Sequence, residues 1–126
     1  MYREVVLPCP QCGISLTALE GRDKWRCTQC VGVLLGSDQL AVELGELGCR
    51  AIFAAQRRRE GIRPCPRCQQ PLEPIELAGI PIERCPADTV AWFGRGVLGR
   101  ACRELPNDTD QAAAAFLAKI VRDAGG

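Results

Sequence analysis

The sequence predicts a small α+β protein stabilised by metal, made of two tandem β-hairpin units that are each followed by helix. Three observations lead to this fold class: cysteines recur in Cys-x-x-Cys pairs, the second half repeats the pattern of the first, and apolar residues recur at helical spacing. Nine cysteines among 126 residues are far more than ordinary proteins carry. Because units of about 55 residues bury little apolar surface, a bound metal is a common source of the missing stability.

The first unit contains two cysteine pairs, Cys9/Cys12 and Cys27/Cys30, separated by fourteen residues. A hairpin over 14–27 would bring both pairs together, and four thiolates are a typical ligand set for structural Zn²⁺. Such a site has no open coordination position, so the metal would hold the fold rather than activate water. A thioredoxin-type dithiol is the weaker alternative, because redox dithiols stand alone at a helix N-terminus.

A helix is expected over 39–59, where leucine and alanine recur every three to four residues. Ser37 or Asp38 could cap its start, and Gly45 and Gly48 mark a kink or a close approach of another helix. Residues 61–64 then form a linker. The predicted units are 1–60, a hairpin unit with its helix, and 61–126, a second hairpin unit with two helices.

The second unit is an altered copy of the first. Cys65, Cys68 and Cys85 repeat the cysteine pattern at shifts of 56 and 58 residues, and Asp88 stands in the fourth place. A carboxylate can bind Zn²⁺, so a Cys₃Asp site is predicted, with weaker binding than four thiolates give. The alternative is a degenerate unit without metal, stabilised by apolar packing of the aromatic residues at 92 and 93. A hairpin over 72–84, a short helix over 96–104 and a third helix over 110–123 complete this half, and a short strand over 2–8 precedes the first.

Composition argues against several classes of function. The chain has no histidine, which removes the commonest acid–base group and most catalytic metal geometries. We therefore predict that it is not an enzyme, and we infer no small-molecule substrate. No signal peptide and no transmembrane run is recognisable, so a reducing cytoplasm is expected, where paired cysteines more often bind metal than each other.

A basic stretch between Arg50 and Arg67 is the main candidate contact surface. It holds six arginines against one glutamate, although the whole chain carries a net charge of only +1. The arginines proposed to contact nucleic acid or a partner are Arg57, Arg58, Arg59, Arg63 and Arg67. The alternative is a solvated helix end that complements its own dipole, followed by a linker. Cys49 and Cys102 lie outside the ligand pattern and are interpreted as small buried hydrophobes.

Both units resemble the small prokaryotic zinc-ribbon family, a type of zinc finger named after the zinc ribbon of transcription factor IIB. The first copy carries Cys-Pro-Gln-Cys-Gly-Ile-Ser-Leu from Cys9 and Cys-Thr-Gln-Cys-Val-Gly from Cys27, but it has Leu34 where tryptophan is usual. The second, degenerate copy keeps Cys-Pro-Arg-Cys, a later Cys-Pro and Trp-Phe, and has lost its last cysteine. The resemblance implies the fold and two zinc sites, but not an activity.

The function predicted from these observations is a non-enzymatic zinc-binding module that docks on a protein partner, as an adaptor or regulator. The alternative is a nucleic-acid-binding or transcription-associated zinc ribbon that uses the stretch from Arg50 to Arg67. A thiol redox or zinc-sensing role is a distant third.

Overall fold

The structure, a computed structural model, describes residues 7–19 and 22–105. Most of the strand predicted over 2–8 and all of the helix predicted over 110–123 lie outside these residues. Six strands and two helices follow in order: β1 Thr17–Ala18, β2 Lys24–Arg26, β3 Val33–Gly36, α1 Ser37–Ala54, β4 Glu73–Leu77, β5 Ile80–Cys85, β6 Val90–Phe93 and α2 Val97–Glu104. The α+β fold with two hairpin units is confirmed.

The six strands form one antiparallel sheet in the order β1-β2-β3-β6-β5-β4. Each unit contributes three strands, and the two units join where β3 pairs with β6. Leu34 lies opposite Trp92 at this junction. These two residues also correspond in the repeat, which has a shift of 58 residues here, so an approximate two-fold axis passes between them.

The sheet has two different buried faces, because successive side chains of a strand point to opposite sides. One face packs against both helices and forms the larger apolar cluster, which includes Leu35, Leu40, Ile52, Ile82 and Phe93. The other face, which we call the metal face, carries Leu34, Val90 and Trp92. The first ligand of each pair is buried in the same cluster: Cys9, Cys27, Cys65 and Cys85. The junction strands β3 and β6 therefore lie between the helices and the metal-binding ends of both units.

Helix α1 departs from the prediction at both ends. No side chain caps its N-terminus, where Gly36 is the capping residue, so the expected cap from Ser37 or Asp38 is wrong. The helix bends at Gly45, whose φ of 81° lies outside the helical region. This bend agrees with the kink that the sequence indicated at this glycine. It ends at Ala54 rather than at 59, because the chain leaves the helix to pair with β4, where the Arg58 N–H donates to the Pro74 carbonyl at 2.8 Å.

The helices also join the two units, because α1 contacts β4, β5 and β6 of the second unit. They contact each other, and the Cys102 thiol of α2 donates to the Glu43 carbonyl of α1 at 3.6 Å. The continuous part of the junction is nevertheless the β3–β6 strand pair, which the sequence did not predict. Within the described residues, neither helix combines the length and apolar character that crossing a membrane requires.

Candidate metal centres

Tight turns place the ligands of the first centre. After Cys9 the chain folds back so that the Cys9 N–H donates to the Ile14 carbonyl at 2.7 Å and the Gly13 N–H donates to the Cys9 carbonyl at 2.9 Å. The turn at Cys27 repeats this arrangement, with the Val31 N–H donating to the Cys27 carbonyl at 3.0 Å. The hairpin between the turns then brings all four sulfur atoms together.

The sulfur positions of the first centre fit a tetrahedral zinc ion. The four sulfurs lie within 4.8 Å of one another, and those of Cys9 and Cys30 are 3.7 Å apart. A Zn–S bond of about 2.3 Å in a tetrahedron separates two sulfurs by about 3.8 Å. The ligand set Cys9, Cys12, Cys27 and Cys30 is therefore assembled at the spacing that zinc requires.

The second centre uses the same construction with one carboxylate. Its ligand atoms, from Cys65, Cys68, Cys85 and Asp88, also lie within 4.8 Å of one another. The sulfurs of Cys68 and Cys85 are 3.7 Å apart, and Asp88 Oδ2 lies 3.4 Å from the Cys65 sulfur and 3.5 Å from the Cys85 sulfur. A Zn–O bond of about 2.0–2.2 Å beside a Zn–S bond of about 2.3 Å predicts an O···S distance of about 3.5–3.7 Å in a tetrahedral site. The Asp88 carboxylate thus lies where a fourth zinc ligand would lie.

The backbone of all four turns has a common feature directly after the second ligand. That residue has a positive φ in every turn: 80° at Gly13, 63° at Val31, 68° at Gln69 and 52° at Thr89. This region favours glycine and is strained for a β-branched residue. The turn that carries Asp88 keeps this conformation despite a threonine, so it has the same design as the turns that end in cysteine.

Burial and hydrogen bonds to sulfur together set the proton affinities of the first centre in the metal-free state. Burial and, after it, hydrogen bonds with the neighbouring thiols raise the pKa of Cys12 to about 12. Burial also acts to raise the pKa of Cys27, but N–H groups of Cys30 and Gln29 donate to its sulfur, and its pKa is lowered to about 7. One thiol is therefore poised to ionise first, and zinc must displace protons from the others.

The thiols and the carboxylate of the second centre differ in the direction of their pKa shifts. Burial raises the pKa of Cys65 to about 12, although the Cys68 and Arg67 N–H groups oppose the change. A hydrogen bond from the Cys68 thiol lowers the pKa of Asp88. The carboxylate is therefore ionised without help from the metal, as a zinc ligand must be.

Both centres could hold zinc, and each provides four protein ligands. A centre with four protein ligands leaves no position for water or substrate, so its chemistry is structural. The first of each ligand pair is buried and the second is half-buried. Zinc bound at these places would fix the two ends of each hairpin from inside the metal face of the sheet.

The two remaining cysteines do not join either centre. Cys49 is half-buried, and its thiol donates to the Ser37 carbonyl at 3.7 Å. Cys102 is exposed, so its interpretation as a buried hydrophobe is wrong. Its neighbour Ala101 is buried in the larger apolar cluster, whereas Cys102 lies on the exposed side of α2. All nine cysteines lie in the described residues and all are free thiols.

The structure separates the predicted contact arginines instead of gathering them into one patch. Arg67 is exposed but engaged by the first unit, since its guanidinium lies 4.9 Å from the Trp25 ring centroid and 3.2 Å from Asp23. Arg57 pairs with Glu60 at 3.7 Å. The remaining three line one cleft of about 280 Å³: Arg58, Arg59 and Arg63.

The same cleft contains a residue that the sequence did not single out. Glu83 lies opposite Trp92 in the β5–β6 pair and accepts a hydrogen bond from Arg63 at 3.2 Å. Burial raises its pKa, although the positive charges of Arg63 and Arg59 act in the opposite direction. Strand alternation could have indicated this carboxylate, because it shares a sheet face with Trp92.

Comparison with known proteins finds a family match for the second unit. No curated protein and no solved structure matches the chain. Residues 64–103, about a third of the chain, match the model of the TFIIB-type zinc-ribbon family, which is described as a transcription factor zinc-finger. The resemblance drawn from the sequence is confirmed there, and the ligand cluster at 9–30 is consistent with a tandem copy of this zinc ribbon.

Proposed function

We propose that this zinc-binding protein is a non-enzymatic module that docks on a protein partner in the cytoplasm, with an adaptor or regulatory role. Both metal centres supply four protein ligands, which leaves no coordination position for a reaction. The cytoplasmic setting rests on nine cysteines that all remain unpaired thiols. Such a scaffold is therefore suited to binding a partner rather than to catalysis.

The observation that carries the proposal is the surface of residues 56–63, which we call the linker surface. It has neither helix nor strand, yet both ends are fixed to the second unit: Arg58 N–H donates to the Pro74 carbonyl and Leu72 N–H donates to the Arg63 carbonyl, each at 2.8 Å. Ile62 is 87% exposed between these anchors. Arginine and large apolar side chains on a preorganised segment are typical of protein interfaces.

A pair of matched variants tests the linker surface. Ile62→Asp places a charge on the linker surface, whereas Val42→Asp makes the same change on α1, where Val42 is also exposed, at 76%. Affinity capture from native lysate with nuclease, followed by binding of the recovered protein in purified form, should give a partner that Ile62→Asp loses and Val42→Asp retains. Equal retention by both variants, or the absence of any partner, contradicts the proposal.

Nucleic-acid binding is the second candidate, supported by Arg58 and Arg59, which are exposed and share a cleft with Arg63. Three features weigh against it. Arg57, Arg63 and Arg67 already form ion pairs. The tryptophan at 92 is buried, and Arg67 covers the one at 25, so stacking platforms for bases are lacking in the described part of the chain. Loss of the captured material on nuclease treatment would favour this candidate over docking on protein.

A further inference from the structure

The cleft between the linker surface and the sheet has a polar floor with unused hydrogen-bonding capacity. Arg58, Arg59 and Arg63 line one side, and Glu83 and Trp92 of neighbouring strands line the other. Glu83 Oε1 accepts from Arg63, but Glu83 Oε2 and Trp92 Nε1 are buried and have no partner among the described residues. Trp92 is only 1% exposed.

Two unpartnered groups of this kind are costly to a folded protein. An unsatisfied buried donor or acceptor loses its hydrogen bonds to water without replacement, and native structures contain few of them. The two groups here belong to directly opposed residues on β5 and β6, so they lie on one face of the sheet. A ligand that offers both a donor and an acceptor would satisfy the pair together.

One residue of an extended peptide is such a ligand, because its N–H and its carbonyl point to the same side of the chain. The N–H can donate to the Glu83 oxygen, and the carbonyl can accept from the Trp92 indole. Arg58 and Arg59, which form no ion pair in the described residues, add an affinity for carboxylate beside it. The volume of about 280 Å³ lies just below the range of small-molecule sites, so a folded element does not fit.

We propose that this cleft binds a short, extended, acidic peptide segment, through its backbone at Glu83 and Trp92 and through its carboxylates at Arg58 and Arg59. The proposal rests on the proposed docking function and names the class of segment that the partner would present. A phosphodiester fits less well, because it offers acceptors but no donor for the Glu83 oxygen.

The indole N–H of Trp92 provides a direct probe. The test uses the zinc-loaded full chain, labelled with ¹⁵N, and a capped Asp-Glu-Asp-Glu peptide, with its Asn-Gln-Asn-Gln counterpart as the neutral control. Trp25→Phe assigns the two indole signals. The acidic peptide should shift the Trp92 signal saturably, whereas the amide peptide should bind at least about fivefold more weakly.

Arginine variants then separate the cleft from general charge. Arg58→Ala should weaken binding of the acidic peptide by about fivefold or more, whereas Arg57→Ala removes the same charge outside the cleft and should change it less than about twofold. Zinc content measured for each variant checks that the fold is intact.

Three outcomes overturn the inference: equal binding of both peptides, equal effects of the two arginine variants, or a uridine hexanucleotide that shifts the Trp92 signal at lower concentration than the acidic peptide. The proposed function is judged separately. A purified partner that Arg58→Ala still binds, and that Ile62→Asp does not, would retain the docking function and eliminate this cleft as its site.

Discussion

Removal of the Asp88 carboxylate should weaken zinc binding at the second centre alone. Structural zinc in a four-ligand peptide site contributes about 10–16 kcal/mol, which averages about 2.5–4 kcal/mol for each ligand. A carboxylate is a harder and weaker partner than a thiolate, so we expect Asp88→Ala to cost about 2–3 kcal/mol, or about 30- to 150-fold in Kd. The distances of 3.4 Å and 3.5 Å from Asp88 to its sulfur neighbours are the basis of this expectation.

Two companion variants make the measurement specific. Asp38→Ala removes an exposed carboxylate in the first turn of α1, outside both ligand clusters, and should leave the metal count at two. Asp88→Cys restores the fourth thiolate and should tighten the second centre. Native mass spectrometry counts the zinc ions, and competition with a graded series of chelators measures the affinity of each centre.

The ligand assignment would be refuted by one combination of results. If Asp88→Ala still holds two zinc ions and loses neither of them to weaker chelators than the wild type does, the carboxylate is not a ligand. If the wild type holds only one ion, the second unit is a ribbon stabilised by packing alone, the alternative that the sequence left open.

Three further variants or treatments probe the scaffold. Gly32→Ala should lower the free energy of unfolding by about 2–3 kcal/mol, because its Cβ would lie 2.3 Å from Trp92 Cζ2 in a packed face. The control Gly94→Ala, whose Cβ would have its nearest neighbour at 3.9 Å, should change it by no more than about 0.5 kcal/mol. Urea unfolding compares the two variants, and equal midpoints contradict the packing argument. Val31→Gly should raise stability by about 0.5–1 kcal/mol by relieving a φ of 63°, and a lower urea midpoint would show that this turn is not strained. Removal of both zinc ions by a strong chelator should abolish the folded circular-dichroism spectrum; a spectrum that persists without metal would mean that apolar packing suffices.

Much of the metal chemistry could be predicted from the sequence because it is local. A Cys-x-x-Cys spacing sets a turn, and a hairpin with an even insertion preserves which side chains face each other. The second hairpin therefore emerged as β4 and β5, Glu73–Leu77 and Ile80–Cys85, close to its predicted limits. The register of the repeat alone puts Asp88 in the place of the fourth ligand.

The strands at the junction could not be predicted in the same way. The apolar runs around Leu34 and Trp92 are short and buried on both faces. Such a run does not show whether its side chains follow the period of a strand or of a helix. Each becomes a strand only because the other unit supplies its pairing partner, which is a tertiary contact. The end of α1 was missed for a similar reason, since the arginines after Ala54 are good helix formers but the chain there pairs with Pro74.

The β3–β6 junction also explains why two weak units make a stable pair. Alone, each unit would expose its third strand as an open edge, with unpaired backbone groups and an apolar side chain such as Leu34 or Trp92. Pairing closes both edges at once and buries these two side chains in a cluster that also holds cysteines from both centres. Because zinc at either centre supports packing that the other centre shares, we expect loss of metal from one to loosen the other. The duplicated chain should therefore respond to metal as one cooperative structure rather than as two independent ribbons.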